Sequence, residues 1–151
     1  LVLRYPLDAL VSMYYSFTKI HGGIPPEVRA LRLDKGIDRC VLDFSEEFFA
    51  RYEIYDNVFK KNKTVTFLKY EDMFQDPTKW IAAFTRPFYL DSNTTEYVIE
   101  MFESETDLSL AKEGTHINKM RPGQHKESLN SKTITAIKGR YSQIFKNFEY
   151  D

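Results

Sequence analysis

Near the start of the chain, Arg4-Tyr5-Pro6-Leu7-Asp8-Ala9-Leu10-Val11-Ser12 sets a guanidinium and a hydroxyl eight positions apart. An arginine fork with a hydroxyl beside it suits a phosphate, because the fork offers parallel N–H donors to two oxygens at once. The residues alone leave a simpler arrangement open, in which Arg4 pairs with Asp8 and Ser12 fills a helix surface. Tyr70, in Phe67-Leu68-Lys69-Tyr70-Glu71-Asp72-Met73, supplies either an aromatic face for a ligand or a rim phenol in water. Arg121-Pro122-Gly123-Gln124-His125-Lys126 is a basic turn, able to grip an anion or to stand as a solvated loop. Other chemistries lack their residues. One cysteine and three scattered histidines give no zinc spacing. There is no Gly-x-Ser-x-Gly elbow. Gly22-Gly23 runs into Ile24-Pro25-Pro26, with none of the lysine or helix start that a phosphate-cradling loop needs.

The elements that must position these groups can be read from periodicity. Leu1–Arg4 is a strand end, stopped by Tyr5-Pro6. Asp8 is placed to cap the helix that follows, whose apolar positions Leu7, Leu10, Val11, Tyr14, Tyr15 and Phe17 recur at helical spacing. Glu27–Asp43 is mixed in pattern and reads as a charged loop. Ser45 with Glu46 and Glu47 predicts a helix start, and Phe48, Phe49, Tyr52, Tyr55 and Phe59 form that helix's apolar face. Thr64–Leu68 predicts a buried strand that ends at Tyr70. Asp76-Pro77 predicts a capped helix, and Thr94–Glu103 a short one. Leu108–Asn130 reads as a long loop. Ser131 is expected to cap one last helix with Ile134, Ile137, Tyr141, Ile144, Phe145 and Phe148 along a single stripe. Strand–helix alternation points to α/β layering on a parallel sheet. Ligands of such sheets sit at the carboxyl ends of the strands, where Arg4 and Tyr70 both fall.

Arg4, Pro6, Asp8, Val11, Ser12, Tyr14 and Tyr15 resemble the 3′-phosphate-binding motif of sulfotransferases that use the activated-sulfate nucleotide PAPS. Tyr70-Glu71-Asp72-Met73 followed by Asp76-Pro77 is similar to that family's strand-ending segment, whose tyrosine lies by the adenine. Arg121 and Gly123 match part of the family's Arg-Lys-Gly-x-x-Gly-x-Trp stretch; the second glycine and the tryptophan are missing, and the segment looks more like a bacterial-type branch. The resemblance spans the chain. It implies a three-layer, P-loop-like α/β fold with a parallel sheet, of which residues 1–151 are a helix-rich C-terminal part of a single domain. It also implies a nucleotide site at Arg4, Ser12, Tyr70, Arg121 and Gly123, PAPS as co-substrate and PAP as product. The family's phosphosulfate loop and its usual histidine base would lie upstream of Leu1, so no catalytic residue is assigned and these 151 residues alone are expected to be inactive. Leu1-Val2-Leu3 opens like the tail of a core strand, which also leads to the expectation of preceding sequence. His21, His116 and His125 are read as surface or loop histidines. The family's dimer segment is not carried over, because Lys138 stands where its glutamate would be.

Composition bounds the rest. The 151 residues fit one domain. At 42% hydrophobic and 15% aromatic, they can fill a core. A net charge of −1 gives no basic field for nucleic acid or an anionic membrane. No apolar run reaches the length of a spanning helix. Cys40 has no cysteine to pair with and reads as a small core residue, and a reducing, cytoplasmic setting follows as the expectation. The sequons at Asn62 and Asn93 would matter only in a secretory lumen. Two readings from other classes stay beside the enzyme: a non-catalytic nucleotide-binding or interaction module that retains the phosphate grip, and a helical scaffold with accidental matches. The acceptor is expected to be a small molecule or glycan bearing a hydroxyl or amine. Arg29, Arg32, Lys35 and Arg39 lie in the segment expected to face it.

Overall fold

The computed structural model describes residues 1–20, 22–105 and 122–150. Two short strands, β1 (Val2–Leu3) and β2 (Leu68–Lys69), pair in parallel with Val2 opposite Leu68 and Leu3 opposite Lys69. The ladder continues in Leu68 N–H to Leu1 O (2.9 Å) and Tyr70 N–H to Leu3 O (2.7 Å). Both carboxyl ends therefore face one edge, as expected. The second strand is shorter than Thr64–Leu68. Asn62 Oδ1 accepts from the Thr64 amide and hydroxyl, which folds Asn62–Val65 into a turn and withdraws Thr64 from the sheet.

Helix α1 (Pro6–Tyr15) starts with proline at its first position and runs into a π-helical turn at Ser16–Ile20. Its Leu7, Leu10, Val11 and Tyr14 are buried. The next helix corrects the sequence reading. Instead of a charged loop and a helix starting at Ser45, α2 runs from Pro26 to Ile54, bent at Gly36, and passes into a π-helical segment at Tyr55–Phe59. Gly36 has φ 74° and ψ 165°, a non-helical conformation essentially limited to glycine, so two helical stretches meet there at a kink. Ser45 caps nothing: its hydroxyl bonds back to Leu42 O within the helix (2.7 Å).

A 3-10 turn at Glu71–Phe74 follows β2, then α3 (Pro77–Thr85), where Asp76 Oδ1 accepts from Lys79 N–H (3.0 Å) as the Asp-Pro signal predicts. Helix α4 covers Ser92–Glu105. Part of the expected long loop is helical as well, since α5 spans Gln124–Ser128. The last stripe is split into α6 (Ser131–Arg140) and α7 (Ser142–Asn147), which break at Tyr141. Asn130, rather than Ser131, caps α6 by accepting from Thr133 N–H (2.8 Å).

The core lies between α1, α2 and α7. Phe49, fully buried, stacks on Tyr141 (centroids 3.9 Å apart) and meets Phe145 at 5.7 Å. Tyr52 packs on Phe148, and Tyr5 makes edge contacts with Phe145 and Tyr150. Cys40 is buried beside Val41, as its core reading predicts. This aromatic layer supports the strand ends from below. No helix among the described residues is long and apolar enough to cross a membrane.

Candidate functional site

Arg4 leaves β1 at the carboxyl edge, and its position is fixed through the backbone. The Tyr52 hydroxyl donates to Arg4 O (2.6 Å), and burial holds that phenol protonated by raising its pKa. The next amide, Tyr5 N–H, donates to Glu71 Oε1 (2.7 Å), so the segment after β2 clamps the segment after β1. The Arg4 guanidinium then lies over the Tyr70 ring, 5.1 Å from its centroid. Its Nε and Nη2 are buried with no hydrogen-bond partner among the described residues. Buried N–H donors left without a partner are costly. Burial raises the Tyr70 pKa; Arg4 opposes that rise and Glu71 adds to it.

The salt bridge between Arg4 and Asp8 is not formed. Asp8 also does not cap its own helix; it sits in the first turn of α1 and turns its carboxylate toward α5. Oδ2 accepts from Gly123 N–H (2.6 Å), and Oδ1 accepts from His125 N–H (2.8 Å) and lies 2.6 Å from His125 Nδ1. Burial alone would raise the Asp8 pKa, but the hydrogen bonds from His125 and Gly123 outweigh it and hold the carboxyl below its ordinary value. Gly123 adopts φ 93°, the left-handed geometry that aims its amide at Asp8.

His125 corrects another expectation. It is buried, 6% exposed, and stacks on Tyr5 with ring centroids 4.7 Å apart. Nothing local in the sequence marks it, since its partner Asp8 lies 117 positions away. Ser12, four residues after Asp8, shares the helix face that looks toward α5 and is half-buried. Arg121, His21 and His116 fall outside the described residues.

A cavity of about 640 Å³ opens beside this junction, between Tyr5, Glu71, Gln75, His125, Lys126 and Lys138. Arg4, Ser12 and Tyr70 are not among its lining residues. Glu71 Oε2 is buried without a partner among the described residues; burial first, and Asp8 behind it, raise the Glu71 pKa against the pull of the Tyr5 amide and Arg4.

An arginine with two buried, unpartnered nitrogens thus lies over a tyrosine ring at the carboxyl edge of paired parallel strands, the edge at which open α/β sheets bind their ligands. The model of the sulfotransferase domain family matches residues 1–147, and the chain belongs to that family. No curated protein and no solved structure matches the chain.

Proposed function

We propose that Arg4, Ser12 and Tyr70 hold the 3′-phosphoadenosine end of PAPS, with Arg121 and Gly123 contributing from the turn before α5, in a cytoplasmic sulfotransferase. The observation that carries this reading is the Arg4 guanidinium, with two buried and unpartnered nitrogens over the Tyr70 ring. The pair fits a phosphate beside an aromatic base: the fork takes the oxyanion and the ring offers a stacking face. Glu71 and Tyr52 position this pair by fixing the backbone on both sides of Arg4. Asp8 occupies the Gly123 amide, so Gly123 contributes the shape of the turn. In the reaction a bond forms from an acceptor hydroxyl or amine to sulfur, the bond from sulfur to the donor's phosphate oxygen breaks, PAP leaves and the acceptor proton is released. The acceptor is a small molecule or glycan.

The test is calorimetric titration of the complete protein with PAP and with AMP, which lacks the 3′-phosphate. Arg4→Ala is expected to weaken PAP by roughly 2–4 kcal/mol, about 30- to 1,000-fold, and AMP far less. Ser12→Ala is expected to cost on the order of 1 kcal/mol. Arg4→Lys should rescue only part, because a point charge lacks the fork. Equal loss for both nucleotides would make Arg4 a structural residue and defeat the proposal.

A further inference from the structure

A second arginine with a buried, unpartnered guanidinium nitrogen packs against the π-helical turn that follows α1. The Arg32 guanidinium lies over the Phe17 ring at 4.8 Å and the Phe44 ring at 5.6 Å, and those two rings meet edge to face, 5.7 Å apart. Its Nη1 is buried with no hydrogen-bond partner among the described residues. These three side chains line a pocket of about 340 Å³ with Met13 and Phe48. The pocket also holds two carboxylates, and each is committed elsewhere. Asp43 takes Arg39 Nε at 3.1 Å and Lys35 Nζ at 3.2 Å, and Glu47 takes Arg51 Nη2 at 2.7 Å. Arg32 thus lies against aromatic faces and makes no ion pair among the described residues, in a pocket whose other charged groups, Asp43, Glu47 and Arg51, are paired with one another or with Lys35 and Arg39. A guanidinium tolerates such faces because it is weakly hydrated and stacks on rings, yet its N–H edge stays available to a planar oxyanion.

We propose that this pocket binds an aryl or alkyl carboxylate, its apolar body against Met13, Phe17 and Phe48 and its carboxylate on Arg32. The volume suits a molecule built around one ring. Met13 directly follows Ser12 on α1, so one helix carries the proposed nucleotide anchor and the wall of this pocket. Taken with the sulfuryl-transfer reading, on which this assignment of role rests, the ligand is the acceptor, and the acceptor class is a hydroxylated carboxylate. Binding itself does not depend on that reading.

The experiment titrates the complete protein with 4-hydroxyphenylacetate and with 4-hydroxyphenylacetamide, the same body without the charge, and in parallel with PAP. The carboxylate is expected to bind at least 10-fold more tightly than the amide. Arg32→Met, which keeps the apolar stem, should bring the two within about twofold and leave PAP affinity unchanged. Arg32→Lys should keep part of the preference. Circular dichroism checks that each variant folds; if Arg32→Met does not, the wild-type preference and the Arg32→Lys series decide. Equal binding of carboxylate and amide by the wild type, binding of neither, or a preference that survives Arg32→Met overturns the proposal. Loss of PAP binding alone would defeat the nucleotide reading and leave the carboxylate pocket standing.

Discussion

Asp8 and Glu71 sit behind the same strand ends in opposite electrostatic conditions. Asp8 receives three hydrogen bonds and is held ionised, below its ordinary pKa of 3.8. A depressed folded pKa adds stability that is complete above the unfolded value and is lost as pH falls through the folded one. Asp8→Asn turns an amide donor toward N–H donors and removes the charge, so it should cost about 2–3 kcal/mol at pH 7 by urea unfolding. That penalty should shrink below about pH 4, as Asp8 in the unfolded wild type takes up a proton first and the folded carboxyl only at lower pH. Glu71 has the opposite sign. Its pKa is raised chiefly by burial, so its contribution is best at low pH and is lost as pH rises through the folded value. Glu71→Gln keeps an acceptor for Tyr5 N–H and replaces a buried, unpartnered charged oxygen. It should stabilise the protein by on the order of 1 kcal/mol at pH 7, with the gain fading as pH is lowered.

The elements show why some of this was legible in the sequence and some was not. Asp76-Pro77 and the two strand ends carry local signals, a cap and a stop, and each formed where expected. The proximity of Arg4 and Tyr70 follows from those strand ends alone. The Asp8–His125 junction was hidden because it joins positions 117 apart, and a lone histidine in a basic turn carries no periodic mark. The α2 helix was hidden for another reason. Gly36 and the charges around it imitate a loop, while the glycine's φ of 74° lets the helical stretches on either side join at a bend. Alanine at 36 would meet no neighbouring atom, so the whole effect must come from the backbone. Gly36→Ala is therefore expected to destabilise by roughly 1–3 kcal/mol, read as a lower urea midpoint with an unchanged m-value. A change in m instead would mean that the two halves of α2 had separated.

At the scale of the whole molecule, the aromatic layer and the proposed nucleotide site are linked through Tyr52. Its ring packs on Phe48, Phe49 and Phe148, and its hydroxyl holds the Arg4 carbonyl. A ligand that engages Arg4 in the folded state alone must therefore stabilise the whole packed unit by mass action. PAP at 100 times its Kd should add about 2.7 kcal/mol. In a domain of this size that corresponds to a rise in Tm of about 5–10 °C. Tyr52→Phe keeps the ring in the core but frees the Arg4 carbonyl, leaving a strand end less firmly aimed. It should lower Tm only modestly, since one hydrogen bond contributes about 0.5–1.5 kcal/mol, while reducing the PAP-induced rise by more than the loss of stability alone explains. Differential scanning calorimetry across a PAP titration of both proteins measures the two quantities separately. A PAP-induced rise identical in Tyr52→Phe and wild type would show that Arg4 is positioned without Tyr52, and that the core serves stability alone.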